Sequence, residues 1–288
     1  MQHSKTLYEK GILKNIRMLT QRQYSNFKFV ARLDHIKTFY TGIKSLNFEN
    51  NGKFQISEDG VRVTVEEGQC VQANLYMTAS CFAEFHVVDM VTFGINMNII
   101  SECLGLFAGV PCSLKMFYKG HGAPLVLVLR PNDEADISAE CSIKTTNVDD
   151  VIDYNLDENS SSLNVVFVRG PSLAHLFQEL NKAADELRIT LSPRQPHFKI
   201  ETLGVVKTET FVEVAKTSDM MMLFNCRETT SACYRNTEIR LTHKALAAAT
   251  KVAIKTDSSG LLEMHFMMQS EEQAEVYVQF YIMPLADV

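Results

Sequence analysis

No stretch of this chain approaches the ~18 consecutive apolar residues that would span a bilayer, although 46% of its 288 residues are hydrophobic. No membrane partner is expected. The N-terminal segment MQHSKTLYEKGILKNIRML holds no apolar h-region, so a secretory signal is not expected either. A basic excess is missing too: 28 Lys and Arg stand against 34 Asp and Glu, for a net charge of −6. That excludes a protein coated in cations. It leaves room for a local basic face, because binding follows the distribution of charge and not its sum. The seven cysteines (Cys70, Cys81, Cys103, Cys112, Cys141, Cys226 and Cys233) form no CxxC pair. An odd, scattered set fits reduced thiols in a cytosolic or nuclear protein and offers no paired zinc spacing. HEXXH, P-loop and GxSxG signatures are absent, and the eight histidines show no ligand spacing. No catalytic residue, metal or cofactor is expected.

What is present is a duplicated pattern. Phe27–Leu33 reads as a strand, followed by Asp34 as a cap and a helix over His35–Ser45 with Ile36, Phe39, Tyr40 and Ile43 on one apolar face. Asn51-Gly52 and Asp59-Gly60 punctuate strands at Phe54–Ser57 and Val61–Val65. Cys70–Thr78 and Val91–Met97 are further strands. Asn98 then caps a helix burying Ile100, Cys103, Leu104 and Phe107. Strands at Cys112–Tyr118, Pro124–Arg130 and Asp136–Lys144 complete this half.

The second half repeats the order. A strand at Leu163–Val168 runs into a helix opened by Gly170-Pro171, with Leu173, Leu176, Phe177 and Leu180 inward. Strands follow at Glu186–Leu191, His197–Thr202 and Val205–Val214. Glu238–Leu241 reads as a strand leading to Thr242 as cap and a helix over His243–Thr250, then strands at Val252–Lys255, Leu261–Met268 and Ala274–Ile282. The expected organisation is a basic tail (1–23), a first domain (24–144), an acidic connector (145–162) and a second domain (163–288). The class is α+β, with antiparallel sheets and helices on one face.

CVQAN at Cys70–Asn74, FxEF at Phe82–Phe85, LRITLSPRQPHFKIETLG at Leu187–Gly204 and VAIKTDSSGLLEMHFM at Val252–Met267 carry a family likeness. The chain resembles the sliding-clamp superfamily over Phe27–Pro284. Within it, the likeness is to the Rad-one-type subunit of the heterotrimeric nine-one-one checkpoint clamp. The resemblance implies a PCNA-like DNA clamp fold: two similar domains, each with two inner helices and outer antiparallel sheets. It implies a non-catalytic nuclear subunit, with two other clamp subunits and a clamp loader as partners. Double-stranded DNA would be encircled without sequence preference, and repair enzymes and checkpoint kinase activators would dock outside.

The site residues follow from that likeness. Lys37, Lys44, His175, Gln178, Lys244 and Lys251 would face DNA, with Lys37 and Lys44, and again Lys244 and Lys251, seven residues apart on one helix side. Glu102 and Gly105 stand where replicative clamps carry cations, which argues for a weak grip by this subunit. Ring closure would use edge strands containing Ile137, Ala139, Cys141 and Ile143 in one domain and Thr208, Thr210 and Val212 in the other. A client groove would take Val65, Cys70 and Gln72, the connector residues Val151, Ile152, Tyr154 and Leu156, and Tyr281, Ile282, Met283 and Pro284. Two alternatives remain. One is a homotrimeric replicative-type clamp. The other is a 3'-5' DNA exonuclease, whose carboxylates would have to converge on metal ions, whereas the acids at Asp133, Glu134 and Asp136 and at Asp149, Asp150 and Asp153 read as solvated loops.

Overall fold

The computed structural model describes residues 26–133, 136–148, 150–152, 154, 156, 163–180, 183–204, 210–269 and 275–286. The basic tail and Thr208 lie outside the described residues.

The first half runs β1 (Phe29–Leu33), α1 (Lys37–Leu46), β2 (Asn51–Ser57), β3 (Gly60–Glu67), β4 (Val71–Thr78), β5 (Glu84–Val87), β6 (Val91–Asn96), α2 (Met97–Leu104), β7 (Cys112–Tyr118), β8 (Leu125–Pro131) and β9 (Ala139–Ile143). The second runs β10 (Asn164–Arg169), α3 (Gly170–Glu179), β11 (Glu186–Leu191), β12 (Phe198–Leu203), β13 (Thr210–Val214), β14 (Met221–Asn225), β15 (Thr230–Arg235), α4 (Asn236–Leu241), α5 (His243–Ala248), β16 (Lys251–Thr256), β17 (Leu262–Gln269) and β18 (Glu275–Ile282). Sheet order repeats with the same offset. The five-stranded sheet β5-β1-β7-β8-β9 has its counterpart in β14-β10-β16-β17-β18. The run β4-β3-β2-β6 has its counterpart in β13-β12-β11-β15.

The halves share one sheet. β18 pairs antiparallel with β4 from Val276↔Met77 to Ile282↔Val71, making a nine-stranded sheet β14-β10-β16-β17-β18-β4-β3-β2-β6. Strict alternation fixes its two faces. Val63, Leu75, Val278 and Phe280 point inward at 0% exposure, so Arg62, Tyr76, Tyr277 and Gln279 point outward. The helices cover the inner face in the order α2, α1, α5, α3. In α1, Phe39, Ile43 and Leu46 recur at helical spacing and are buried, each contributing about 1.5–3 kcal/mol by leaving water.

Local readings needed correction where a short pattern had two solutions. Asp34 does not cap α1; it pairs with Arg32, and the helix starts after Ile36 without a side-chain cap. The cap of α2 is Asn96, whose Oδ1 accepts from Ile99 N at 3.1 Å, and not Asn98. Asn51-Gly52 lies inside β2 and is not a hairpin turn. Glu238–Leu241 belongs to α4 and not to a strand. Four alternating residues fit either period, and the backbone is settled by Asn236 Nδ2 donating to Ala184 O at 2.8 Å and by Ile239 at 0% exposure. Thr242 does not cap α5 through its side chain. Its hydroxyl donates back to Ile239 O at 2.7 Å, marking the joint between α4 and α5.

Two glycines permit close approaches. Gly170 N donates to Thr250 O at 2.9 Å, and a Cβ there would fall on the Ala249 carbonyl oxygen. Gly94 exchanges two backbone hydrogen bonds with Thr146, and a Cβ would meet the Thr146 hydroxyl and Val148. Since the Ala249 obstacle is backbone, Gly170→Ala is expected to destabilise the protein by about 2–3 kcal/mol. Denaturant titration with an unchanged m-value checks this; a shift below about 0.5 kcal/mol would mean that α3 re-seats freely.

Candidate nucleic-acid interface and connector site

α1 presents Lys37 and Lys44 to solvent, seven residues apart. The Lys44 ammonium lies 5.8 Å from the centre of the Tyr40 ring. α5 packs beside α1 and carries Lys244, also exposed, with Nζ 3.4 Å from Asn47 O. Between the two halves lies a cleft of about 300 Å³ lined by Ser45, Phe48, Gln178, Arg240, Leu241, His243 and Lys244. His175 and Gln178 are exposed on α3. Lys37, Lys44, His175, Gln178 and Lys244 are therefore exposed on neighbouring helices of one surface. It adds Arg240, exposed on α4, and His243, whose Nδ1 sits 2.8 Å from Arg240 O. Arg240 was hidden by reading its segment as a strand.

Lys251 does not join them. It is the first residue of β16 and points to the outer face, with Nζ 4.1 Å from the Phe167 ring centre. The seven-residue spacing from Lys244 fails because the helix ends at Ala248. α2 departs in the other direction. Its surface borders a cleft of about 340 Å³ lined by Tyr40, Asn47, Asn98, Ser101, Glu102, Gly105 and Leu106, which holds no cation. Ile99 and Leu106 are exposed there.

The connector lies against the outer face of the central sheet. Gln72 Nε2 donates to Glu66 Oε1 at 2.6 Å and to Ile152 O at 2.5 Å. Ile152 N donates to the same Glu66 oxygen at 3.0 Å. The Tyr154 hydroxyl donates to Gln69 O at 2.6 Å and its ring stacks on Tyr281 at 5.9 Å. Leu156 is 2% exposed, packed with Leu163, Leu261 and Tyr281. Burial pushes the Tyr154 hydroxyl up from its ordinary value, with Glu66 and Cys70 adding to the effect. Gln72, Ile152, Tyr154, Leu156 and Tyr281 thus meet, and partly buried Cys70 accepts Met283 N through its carbonyl at 2.9 Å. Val151 and Pro284 are half-buried and Met283 is exposed. Val65 and Ile282 leave the set: at 1% and 0% exposure they point inward to the core under the helices.

Edge strands have distinct fates. β6 is covered by Thr146, three residues beyond the end of β9. β15 is covered by Leu285, three residues beyond the end of β18, through Leu285 N donating to Cys233 O at 2.7 Å. β9 and β13 close their sheets with no further strand among the described residues. On β9, Ile143 is buried and Ala139 and Cys141 are half-buried, while Ile137 precedes the strand and is exposed. Thr210 is exposed and Val212 half-buried on β13. Phe211, 58% exposed, lies 4.8 Å under the Lys199 ammonium. Cys103 of α2 hydrogen-bonds Cys141; burial first and then that contact push the Cys103 thiol up to about 12, so it stays protonated.

Among the described residues, no cluster of three or more His, Cys, Asp or Glu could hold a metal. The model of the family described as repair protein Rad1/Rec1/Rad17 matches residues 28–268. The DNA repair protein Rad1 of Drosophila melanogaster is 52% identical over 262 residues, which is 91% of this chain and 96% of that protein. The cell cycle checkpoint protein RAD1 of Homo sapiens is 31% identical over 280 residues, 94% of this chain and 98% of that one. The crystal structure of proliferating cellular nuclear antigen from Entamoeba histolytica superposes with a TM-score of 0.72 at 16% identity, covering 90% of this chain and 100% of that chain. That likeness establishes the sliding-clamp fold.

The outer face also contains a buried acid with a defined pH signature. Glu263, 3% exposed, accepts from Gln279 Nε2 at 3.1 Å and lies 2.5 Å from His265 Nε2 and 3.1 Å from Lys255 Nζ. Burial alone would raise its carboxyl, but the close approach of His265 and the Lys255 ammonium outweigh burial and hold it below the ordinary glutamate value. A depressed folded pKa stabilises above the unfolded value, near about 4.3, and that contribution is lost as pH falls through the folded one. Glu263→Gln is therefore expected to cost about 3 kcal/mol at neutral pH by removing the buried ion pair with Lys255, and to flatten the acid limb of the stability–pH curve below about pH 4. Urea midpoints across pH check this. An unchanged acid slope would show that Glu263 is not the group responsible.

Proposed function

The chain belongs to the Rad1/Rec1/Rad17 family of repair proteins, and from that premise we propose how it acts as a subunit of a checkpoint sliding clamp. The observation that carries the reading is the β18–β4 junction. By the nine-strand offset, β9 is the counterpart of β18 and β13 of β4. Ile143 pairs Leu125 at the start of β8, as Ile282 pairs Leu262 at the start of β17. Val212 pairs Ile200, as Leu75 pairs Val63. A neighbouring subunit joined to β9 in the manner of β4 on β18 sets Cys141 opposite the partner's counterpart of Thr210, and Ala139 opposite that of Val212. Such a head-to-tail interface repeats around an axis and closes into a ring. The two nine-strand units then act as the two domains of each subunit, and the helices face the hole.

The ring is heterotrimeric, with two other clamp subunits as neighbours. A loader opens it, and double-stranded DNA passes through without sequence readout. Phosphate contacts come from Lys37, Lys44, Arg240 and Lys244, with His175 and Gln178 at the periphery. The connector face at Gln72, Ile152, Tyr154, Leu156 and Tyr281 receives repair enzymes and checkpoint kinase activators. The subunit works in the nucleus and has no catalytic step of its own. Heterotypic assembly is favoured over a homotrimer by α2, whose surface lacks the cations that a tightly gripping symmetric ring repeats at every subunit.

Two measurements test this. By mass, the chain alone is expected to be monomeric and to enter a ring on mixing with two different partner subunits; a stable homotrimer at micromolar concentration would overturn heterotypic assembly and leave the fold intact. Reversal of Lys37, Lys44, Arg240 and Lys244 to Glu is expected to lower retention of the assembled ring on closed circular DNA about tenfold or more, with a shallower salt dependence, while assembly persists. Lys251→Glu should leave retention unchanged. Loss of assembly in the quadruple variant would move those residues to an interface.

A further inference from the structure

The outer face of the central sheet carries a row of cations that neither DNA encirclement nor ring closure uses. The register aligns Arg62, Tyr76, Tyr277, Met267, Lys251 and Arg169 across six adjacent strands. At ~4.8 Å per strand the row is about 24 Å long. The Arg62 guanidinium lies 5.3 Å over Tyr76, Tyr76 stacks on Tyr277 at 5.0 Å, and His265 stacks on Tyr277 at 5.8 Å. Arg62 Nε donates to Asn74 Oδ1 at 3.1 Å, and Arg169 Nε to Asp219 O at 2.9 Å. Lys251 lies over Phe167. Among the described residues, none of these three cations has a carboxylate partner, whereas Arg32, Lys199, Arg235 and Lys255 each do. The one nearby buried acid, Glu263, is already held by Lys255 and His265. In a chain of net charge −6, three cations aligned in one row with no carboxylate partner among the described residues form a binding surface for negative charge. At its Arg62 end opens a cleft of about 260 Å³ whose lining includes Val61, Met77 and both tyrosines beside Gln55, Ser57 and the single acid Asp59, with room for one uncharged side chain.

We infer that this row docks an acidic, extended polypeptide segment, with carboxylates along Arg62, Lys251 and Arg169 and one apolar anchor in the cleft. Charge complementarity selects the anion, and the arrangement of the rings selects its class. Single-stranded nucleic acid needs free aromatic faces for base stacking. Here Tyr76 is sandwiched between Arg62 and Tyr277, and Tyr277 between Tyr76 and His265, so the ring faces are occupied. A strand rising ~3.4 Å per residue covers the row with about seven residues. The row lies four residues along β4 from Gln72, or about 13 Å from the connector contact. Docking there requires no displacement of the connector and is independent of the client reading above.

The test uses the full chain and a fluorescein-labelled Glu-Asp-Glu-Phe-Glu-Asp-Glu peptide in fluorescence anisotropy, with oligothymidylate in a parallel arm. The acidic peptide is expected to bind at low salt and to weaken about tenfold towards physiological ionic strength. Combined Arg62→Glu and Lys251→Glu should abolish binding, Arg62→Lys with Lys251→Arg should retain it, and replacing Phe by Ser in the peptide should weaken it. Lys119→Glu, on the β7–β8 turn, should have no effect. An unchanged circular dichroism spectrum shows that the reversed variant is folded, and the charge-conserving pair stands in if it is not. Absence of acidic-peptide binding, an equal loss with Lys119→Glu, or oligothymidylate binding that disappears with the Arg62 and Lys251 reversals would overturn the proposal.

Discussion

Pairing between β18 and β4 is the constraint on which the rest of the molecule depends. It joins the last strand of the second half to the fourth strand of the first, closing a contact across some two hundred residues of chain. Once this ladder forms, the two inner faces become one surface, and four helical segments can pack side by side upon it. The same ladder sets the outer face. Tyr277, Gln279 and Tyr281 of β18 point away from the helices, which places Tyr281 under the connector and Tyr277 in the aromatic stack. A slip of one residue would exchange both faces at once. It would bring Gln279 and Gln72 into the core and expose Phe280.

The duplicated order, the class and most strands were legible because their signals are long. Five or more alternating residues, or three apolar residues at helical spacing, suffice. What was not legible was short or depended on distant chain. Glu238–Leu241 has the alternation of a strand over four residues, and only the contact from Asn236 to Ala184 decides for helix. Lys251 fell on the wrong element because the end of a helix is poorly marked when the next residues are Ala and Thr. Val65 and Ile282 are a question of parity: their neighbours Gln72 and Tyr281 meet the connector on the outer face, but alternate positions face opposite ways. The connector contact shows a further limit. Its apolar content signalled docking on a folded surface, yet the partners Glu66 and Gln69 lie in another segment altogether, and no local pattern names them.

The helical surface and the sheet surface divide the electrostatic roles. Cations on α1, α4 and α5 lie together near the joint between halves, whereas α2 offers Glu102, Ile99 and Leu106. On the proposed reading, a duplex crossing such a surface would be held on one side and slide over the other, because most of the attraction follows the number of neutralised phosphates. On the opposite face, buried polar groups are paired through Asn74, Gln72 and Glu263. Solvated hydrogen bonds there would exchange with water; buried ones fix side-chain rotamers on the sheet under the connector.

Each half covers one of its own edges with the residues that follow its last strand: Thr146 on β6 and Leu285 on β15. Among the described residues β9 and β13, like β5 and β14, have no further strand beside them, and an exposed strand edge is a template for indiscriminate pairing. For a cell, this turns subunit stoichiometry into a matter of protein quality control. On the ring proposed above, a copy synthesised in excess of its partners would keep such edges open to water and to other chains, so balanced expression of the subunits would matter to its solubility.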